Sequence, residues 1–367
     1  MVLYGLSLAV LRHEKAARLA ALMFAATPAA VFFSAIYSEA PFALAAWAGL
    51  WALEAGQPAA DGAGKHAART LAASACFAAA GFVRSNAIVM AGFLGWSALR
   101  RVHSLRAAGQ LTWLAWVTGL ATLGVGICIT VAPFPLVQWL GGMLYCGTPP
   151  AGLASFWRSA GLPLPAAFPT AAVADGASRP WCPGAPAQDW AWWPLPGLYG
   201  HVQRAYWNVG PFRYWEVKQI PNFVLAAPVM LATAAAARRA VQLEYVRRLP
   251  ALVWAAMPPL CGSQRAAGAA SDSAWFRAAP AEAAEAWWCW AALPYYMQWC
   301  ALAGIALISM HVQVSTRFIA SSCPALYWAL AAWWTHGTSG TRRAIAAWCI
   351  GYAVVGTALF TTFYPWT

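Results

Sequence analysis

Nine apolar runs recur along this chain of 367 residues, at 16–36, 40–54, 70–83, 87–99, 110–139, 221–237, 287–310, 318–335 and 344–363, and they leave it little choice of fold. Crossing the hydrocarbon layer of a bilayer, about 30 Å thick, takes roughly 20 apolar residues of α-helix. The runs at 70–83 and 87–99 would cover only about 20 Å each, so they read as broken or re-entrant helices rather than two clean crossings. The first residues, MVLYGLSLAVL, are apolar but too short to span, and charges rather than a cleavage site follow them, so they read as the tail of a helix.

Composition agrees with the runs. Apolar residues make up 61% of the chain, charged residues 9%, and the mean hydropathy is +0.54, against about a quarter charged in an average soluble domain. With 23 basic and 11 acidic residues, no charged shell exists to keep a globule of this length in water. Lipid covers much of the surface instead. The expected fold is an all-α polytopic membrane bundle of about 8–10 membrane segments.

The net charge of +12 would raise nucleic acid as a partner of a soluble chain, but the location of the charges excludes it. Lys and Arg cluster at 12–18, 65–69, 100–106, 238–248 and 342–343, each flanked by apolar sequence, as cytosolic loops are under the positive-inside rule. Placing all five clusters in the cytosol gives a consistent alternation only if 250–286, with its doubtful apolar stretch at 250–262, does not cross. Three regions result: membrane helices over 1–139, a luminal loop region over 140–220, and membrane helices over 221–367 with an Ala-rich loop at 263–286. The same alternation sends residues 37–39, 84–86, 140–220, 311–317 and the terminal YPWT to the luminal side, so the polar groups that look chemical converge on one face.

Ionisable groups at membrane depth are costly, and each is a functional candidate. Glu39 sits between TPAAVFFSAIYS and PFALAAWAGL, at a helix-to-helix turn. It is either a proton acceptor or a carboxylate capping the next helix. Arg84 and Asn86 interrupt an Ala-rich run, where a guanidinium meets a phosphate or a buried carboxylate. In MHVQVSTRF, positions 313 and 317 share a face if the segment is helical, and 311 and 313 do if it is extended. His311, Gln313 and Arg317 then bind phosphate or sugar hydroxyls, or form a loop that faces water. The run YWNVGPFRYWEVKQIPNF over 206–223 mixes aromatics with amides, the chemistry of carbohydrate recognition, although an interfacial aromatic belt explains most of the other aromatics of this region.

Nine cysteines without a CxxC pair or a Cys/His array offer no zinc site, and no metal or cofactor is expected. Cys146 and Cys182, both in the long polar loop, are the one candidate pair for a bridge in an oxidising lumen. Phosphate loops, HExxH and GxSxG are missing from the sequence.

Together, TPAAVFFSAIYSEAPFAL, GFVRSN, YWNVGPFRYWEVKQIPNFVLAAP, MHVQVSTRFIASSCPALYW and YPWT resemble, in order and over essentially the whole chain, the PIG-V family, GPI mannosyltransferase 2. The resemblance implies a GT-C-like helical bundle in the endoplasmic-reticulum membrane, an inverting glycosyltransferase with no metal. Such an enzyme takes the second, α-1,6-linked mannose from dolichyl phosphate mannose to the GPI precursor on the luminal face. Its partners would be the lipid-linked donor, the GPI-precursor acceptor and a small membrane subunit. Arg84, Asn86, Trp207, Asn208, Gln219, Asn222, His311, Gln313 and Arg317 match the family's motifs and are the expected substrate-binding residues. The family's early luminal loop, with the Trp-Asp motif expected to hold the catalytic Asp, is expected to precede this sequence, which then reads as a fragment or a truncated gene model. Glu39 is the only catalytic candidate assigned. The runner-up is a non-catalytic membrane scaffold or inactive homologue, and a transporter is disfavoured because the polar groups gather on one face rather than at mid-membrane.

Overall fold

The computed structural model describes residues 1–56, 62–146, 197–242 and 287–362, and among them only helices and turns occur. The expected all-α bundle is what forms. Four helical stretches, Trp113–Val131, Val217–Val241, Trp290–Ser309 and Ser339–Thr361, are long and apolar enough to cross a membrane. The protein is a multi-pass membrane protein. The proposed loop at 263–286, the stretch at 250–262, the Cys146–Cys182 pairing and the terminal YPWT lie outside the residues whose side chains are described.

The first helices are α1 (Val2–Leu11) and α2 (Glu14–Ala25), followed by α3 (Ala30–Ser34), α4 (Glu39–Glu54) and α5 (Ala63–Val83). The run at 16–36 is thus not one span but a helix, a turn and a short second helix. Pro28, which has no amide to donate and disfavours helical geometry at Thr27, interrupts the run, and the Thr27 hydroxyl fixes the turn by accepting from the Ala29 amide at 3.3 Å and meeting the Tyr327 hydroxyl at 3.1 Å. Residues 2–11 form a helix of the core. Leu6 and Leu11 are fully buried, and Arg12, in the left-handed conformation (φ 53°), ends the helix.

The two runs suspected of being broken or re-entrant lie in α5 and α6 (Ala91–Ala107), which extend through the basic segments beside them, and neither helix is among those apolar and long enough to cross a membrane. A 3₁₀ turn over Ser85–Met90 joins them. The run at 110–139 divides into α7 (Trp113–Val131), capped by the Thr112 hydroxyl on the Ala115 amide at 3.1 Å, and α8 (Pro133–Cys146). After α9 (Gly197–Ala205) and α10 (Ile220–Val241), α11 (Leu293–Ser309) leads into α12 (Ser315–Ser322), α13 (Pro324–His336) and α14 (Ser339–Thr361). The run at 318–335 is broken because Pro324 cannot donate to the ladder and holds Cys323 extended (φ −117°, ψ 96°).

Helix α13 is the axis of the bundle, with every residue from 324 to 332 buried. Its polar tips are satisfied: Trp328 Nε1 donates to Ser7 Oγ at 2.8 Å and the Tyr327 hydroxyl to the Ala320 carbonyl at 2.9 Å. Lipid-facing helices show the converse pattern. Leu114, Val117 and Leu120 of α7, and Ile350, Val354 and Val355 of α14, are exposed. Thr118, Thr122 and Thr357 fold their hydroxyls onto carbonyls one turn back at 2.7–2.8 Å, so their donors are satisfied where there is no water.

Helix direction sorts the helix ends into two sides. Glu39, Arg84, Asn222 and His311 fall at one side, whereas Lys65, Arg69, Arg100, Arg106, Arg238, Arg239, Arg342 and Arg343 fall at helix ends on the other. On that second side Arg100 Nη1 donates to Glu54 Oε2 at 2.9 Å, both groups nearly buried, with the Tyr295 hydroxyl 3.4 Å from Oε1. The cluster at 100–106 therefore belongs to a helix rather than a loop.

Candidate functional site

Four interruptions of the helical bundle meet at one end: the α3–α4 turn, the turn after α5, residues 206–222, and the α11–α12 connection. Each supplies side chains that a continuous helix would have spread along a face.

The first cluster is built on Glu39, in the first turn of α4 and fully buried. Arg84 Nη1, from the end of α5, donates to Glu39 Oε1, and Arg317 Nε approaches the same oxygen to 3.9 Å. The Ser38 hydroxyl donates to Oε2 at 3.3 Å. Both guanidiniums are mostly enclosed, with side chains 19% and 18% exposed. Arg317 also donates to the Tyr37 hydroxyl at 2.9 Å and lies over the Phe32 and Tyr37 rings, while Arg84 lies over Phe42. One carboxylate facing two guanidiniums leaves an excess of one positive charge. Beside it the buried hydroxyls of Ser315 and Thr316, at the start of α12, have no hydrogen-bond partner. Asn86 donates to Ser322 Oγ at 2.9 Å and so fastens the turn after α5 to α12.

The second cluster is centred on Tyr214. Its hydroxyl donates to Gln313 Oε1 at 2.7 Å and accepts from Asn222 Nδ2 at 2.7 Å, and Asn222 also donates to Gln219 Oε1 at 2.6 Å. Burial pushes the Tyr214 phenol above its ordinary pKa, partly offset by the Asn222 hydrogen bond. The His311 ring packs on Tyr214 at 4.4 Å, and its Nε2 meets the Trp207 carbonyl. Trp215 Nε1 donates to the Leu307 carbonyl at 2.9 Å, and the Gly210 and Phe212 amides bond to the carbonyls of Ser309 and Ile308, so the loop is held to the end of α11. Asn208 is exposed. Its left-handed backbone (φ 45°), which asparagine tolerates, turns the chain out of α9.

The ten sequence-predicted residues thus divide between two neighbouring clusters. Glu39, Arg84, Asn86 and Arg317 form one; Trp207, Gln219, Asn222, His311 and Gln313 form the other; Asn208 stands outside both hydrogen-bond networks. His311, Gln313 and Arg317 do not share a face. A 3₁₀ turn over Val312–Val314 directs the first two toward Tyr214, and α12 carries Arg317 to Glu39. Among the described residues no three His, Cys, Asp or Glu side chains gather as a metal site would require.

A family model described as Mannosyltransferase (PIG-V) matches the chain over residues 1–367. The chain belongs to this family. Among PIG-V relatives, a mouse "GPI alpha-1,6-mannosyltransferase 2" is 33% identical over 330 residues, covering 89% of this chain and 58% of its own length. Its human counterpart is 30% identical over 349 residues, with the same two shares. A "GPI mannosyltransferase 2" of Drosophila pseudoobscura pseudoobscura is 29% identical over 371 residues, 100% of this chain and 71% of the relative. The chain thus spans little more than half the length of the mammalian relatives. No solved structure matches it.

Three residues of the candidate site in this PIG-V chain escaped the sequence. Tyr214 lay inside the 206–223 run without being singled out among its aromatics, and Tyr37 beside a Glu that drew attention first. Tyr199, whose hydroxyl lies 2.8 Å from Ser85 Oγ, sits in α9, inside the presumed loop. Only its place among amphipathic residues could have marked it.

Proposed function

We propose that this chain carries the substrate-binding face of a GPI mannosyltransferase, which moves the second, α-1,6-linked mannose from dolichyl phosphate mannose to the GPI precursor in the lumen of the endoplasmic reticulum. The observation that supports this most is the convergence of Arg84 and Arg317 on one buried carboxylate, beside an aromatic and amide cluster at the same end of the bundle. A glycosyl phosphate needs those two environments side by side.

In this reading the departing dolichyl phosphate gains charge as the glycosidic bond breaks, and the excess positive charge of the first cluster, the start of α12 and the unpartnered Ser315 and Thr316 hydroxyls stabilise it. Glu39 orients the guanidiniums. Fully buried and held by both arginines, it is a positioning group rather than the base that deprotonates the acceptor hydroxyl. The sugar lies against Trp207 and His311, with Asn208, Gln219, Asn222 and Gln313 on its hydroxyls. If His311 donates Nε2–H to the Trp207 carbonyl, its Nδ1 lone pair is left for a sugar hydroxyl. No resident cofactor or metal takes part, and a small membrane subunit completes the assembly.

Complementation tests the reading. Cells lacking the second GPI mannosyltransferase receive the chain, or the reading frame extended upstream, and surface GPI-anchored protein is scored. Rescue that Arg317→Ala abolishes is the expected result. No rescue by either form, at normal expression in the membrane, overturns it.

A further inference from the structure

A carboxylate is the least expected neighbour of a site that holds phosphate, because it repels the anion it adjoins. Glu39 is nonetheless fully buried there, with Arg84 donating to Oε1 and Arg317 Nε 3.9 Å from the same oxygen. Among the described residues no second acid pairs with either guanidinium. What remains for a ligand lies on three successive residues of α12. The hydroxyls of Ser315 and Thr316, residues only 0% and 1% exposed, and Arg317 Nε are all buried without a hydrogen-bond partner. Arg317 is itself held in place, since its Nη1 donates to the Tyr37 hydroxyl at 2.9 Å.

Two guanidiniums and one carboxylate leave one positive charge in excess. The inference drawn from this count rests on the proposed glycosyl transfer, in which the donor is a phosphodiester with a single negative charge. Transfer breaks the bond between the sugar carbon and the phosphate oxygen, and the electron pair stays on that oxygen. The acceptor oxygen bonds to the sugar carbon, and its proton passes to water. The phosphate is thereby left as a monoester, with about two negative charges above its second pKa near 6. Attraction to the excess charge grows in proportion to the ligand's charge, whereas the cost of taking the ligand out of water grows with the square of that charge. One excess positive charge therefore suits the diester, and two would suit the monoester. We infer that Glu39 is a specificity-determining residue: by cancelling one guanidinium it tunes the cluster to a phosphodiester monoanion and lets the phosphomonoester product leave.

Geranylgeranyl phosphate, its methyl phosphodiester and geranylgeraniol share one chain and differ in charge, so together they test the count. Binding of each to the full chain is measured in a mild neutral detergent, at equal mole fraction in the micelle and at about pH 8, where the monoester is a dianion. The parent is expected to hold the diester at least as tightly as the monoester. Glu39→Gln should tighten the monoester at least about tenfold more than the diester, because the lost negative charge acts twice over on a dianion. A carboxylate that only held the fold together would, when replaced, move both affinities alike. Tighter binding of the monoester by the parent overturns the inference, and so does a ratio that Glu39→Gln leaves unchanged. Should Glu39→Gln not fold, the parent's own preference decides. Failure of the underlying reading looks different: neither phosphate then binds better than geranylgeraniol, or Arg317→Ala leaves both affinities intact, and the role of Glu39 falls with it. Phosphate binding that Arg317→Ala weakens, with a ratio indifferent to Glu39→Gln, overturns the role of Glu39 alone.

Discussion

Glu39→Gln removes one negative charge from between two guanidiniums and changes almost nothing else in size. Arg317 Nε stands 3.9 Å from Glu39 Oε1, and Arg84 is in direct hydrogen-bond contact with the same atom. At an effective dielectric constant of about 20, a charge pair at 4 Å is worth about 4 kcal/mol, much of it offset by desolvation. What the substitution exposes is the other side of that balance: two mostly enclosed cations left without a counter-charge, which costs about 3–5 kcal/mol. Unfolding in mixed micelles with rising SDS, followed by tryptophan fluorescence, measures it. The mechanism also fixes a coupling. Arg317→Gln should destabilise the parent protein but relieve repulsion in the Glu39→Gln background, giving a coupling of at least about 1 kcal/mol between the positions. A Glu39→Gln protein within about 0.5 kcal/mol of the parent, or strictly additive single substitutions, would refute the account of Glu39 as the anchor of both arginines.

The remaining predictions concern both ends of the bundle. Tyr214→Phe deletes the hydroxyl between Asn222 and Gln313 while Asn222 keeps Gln219, so a loss of about 1–2 kcal/mol in the same unfolding assay is expected, together with weaker rescue of GPI-anchored protein. Because burial raises the Tyr214 pKa, the phenol's contribution is fully present below the ordinary tyrosine value near 10 and is lost as pH rises from there through the folded pKa. A pH series comparing parent and Tyr214→Phe should therefore show a constant difference up to about pH 10 and a shrinking one above it. Glu54→Gln strands Arg100 and should cost about 3–5 kcal/mol, yet rescue per folded molecule should be unchanged, since Glu54 lies about 22 Å along α4 from Glu39.

How much of this was legible in the sequence follows from what each signal depends on. Helicity and membrane insertion depend on local composition, so the bundle was readable from the apolar runs. The candidate residues were readable because an Arg, His or amide is expensive at membrane depth wherever it occurs. Pairings were not. Glu39 meets residues 45 and 278 positions away, and nothing local to Glu39 tells a cap from an anchor. Arg100 looked like a loop cation because its partner, Glu54, lay beyond another helix. Tyr214 was one of several aromatics in the 206–223 run, and only its partners Gln313 and Asn222 set it apart. The lengths of α5 and α6 were underestimated because the apolar count stopped at the first charge, whereas the helix continues and those charges gather at its end.

The break between α12 and α13 carries the final consequence. Cys323 is extended because the residue before a proline is disfavoured in the helical region, and this lets α12 leave the axis of α13 and present Arg317 to Glu39. Pro324→Ala removes that restriction and supplies the missing amide, so residues 315–336 can close into one helix that draws Arg317 from the carboxylate. Added helical hydrogen bonding offsets much of the lost contact, so the stability change should stay below about 1.5 kcal/mol. Under the proposed function activity should not be spared, because the cluster proposed to hold the phosphate loses one of its two cations. Complementation by Pro324→Ala in the rescuing form of the protein should therefore fall toward the level of Arg317→Ala, with membrane abundance near that of the parent. Full rescue by Pro324→Ala would mean that the broken helix serves packing alone and that Arg317 does not depend on it.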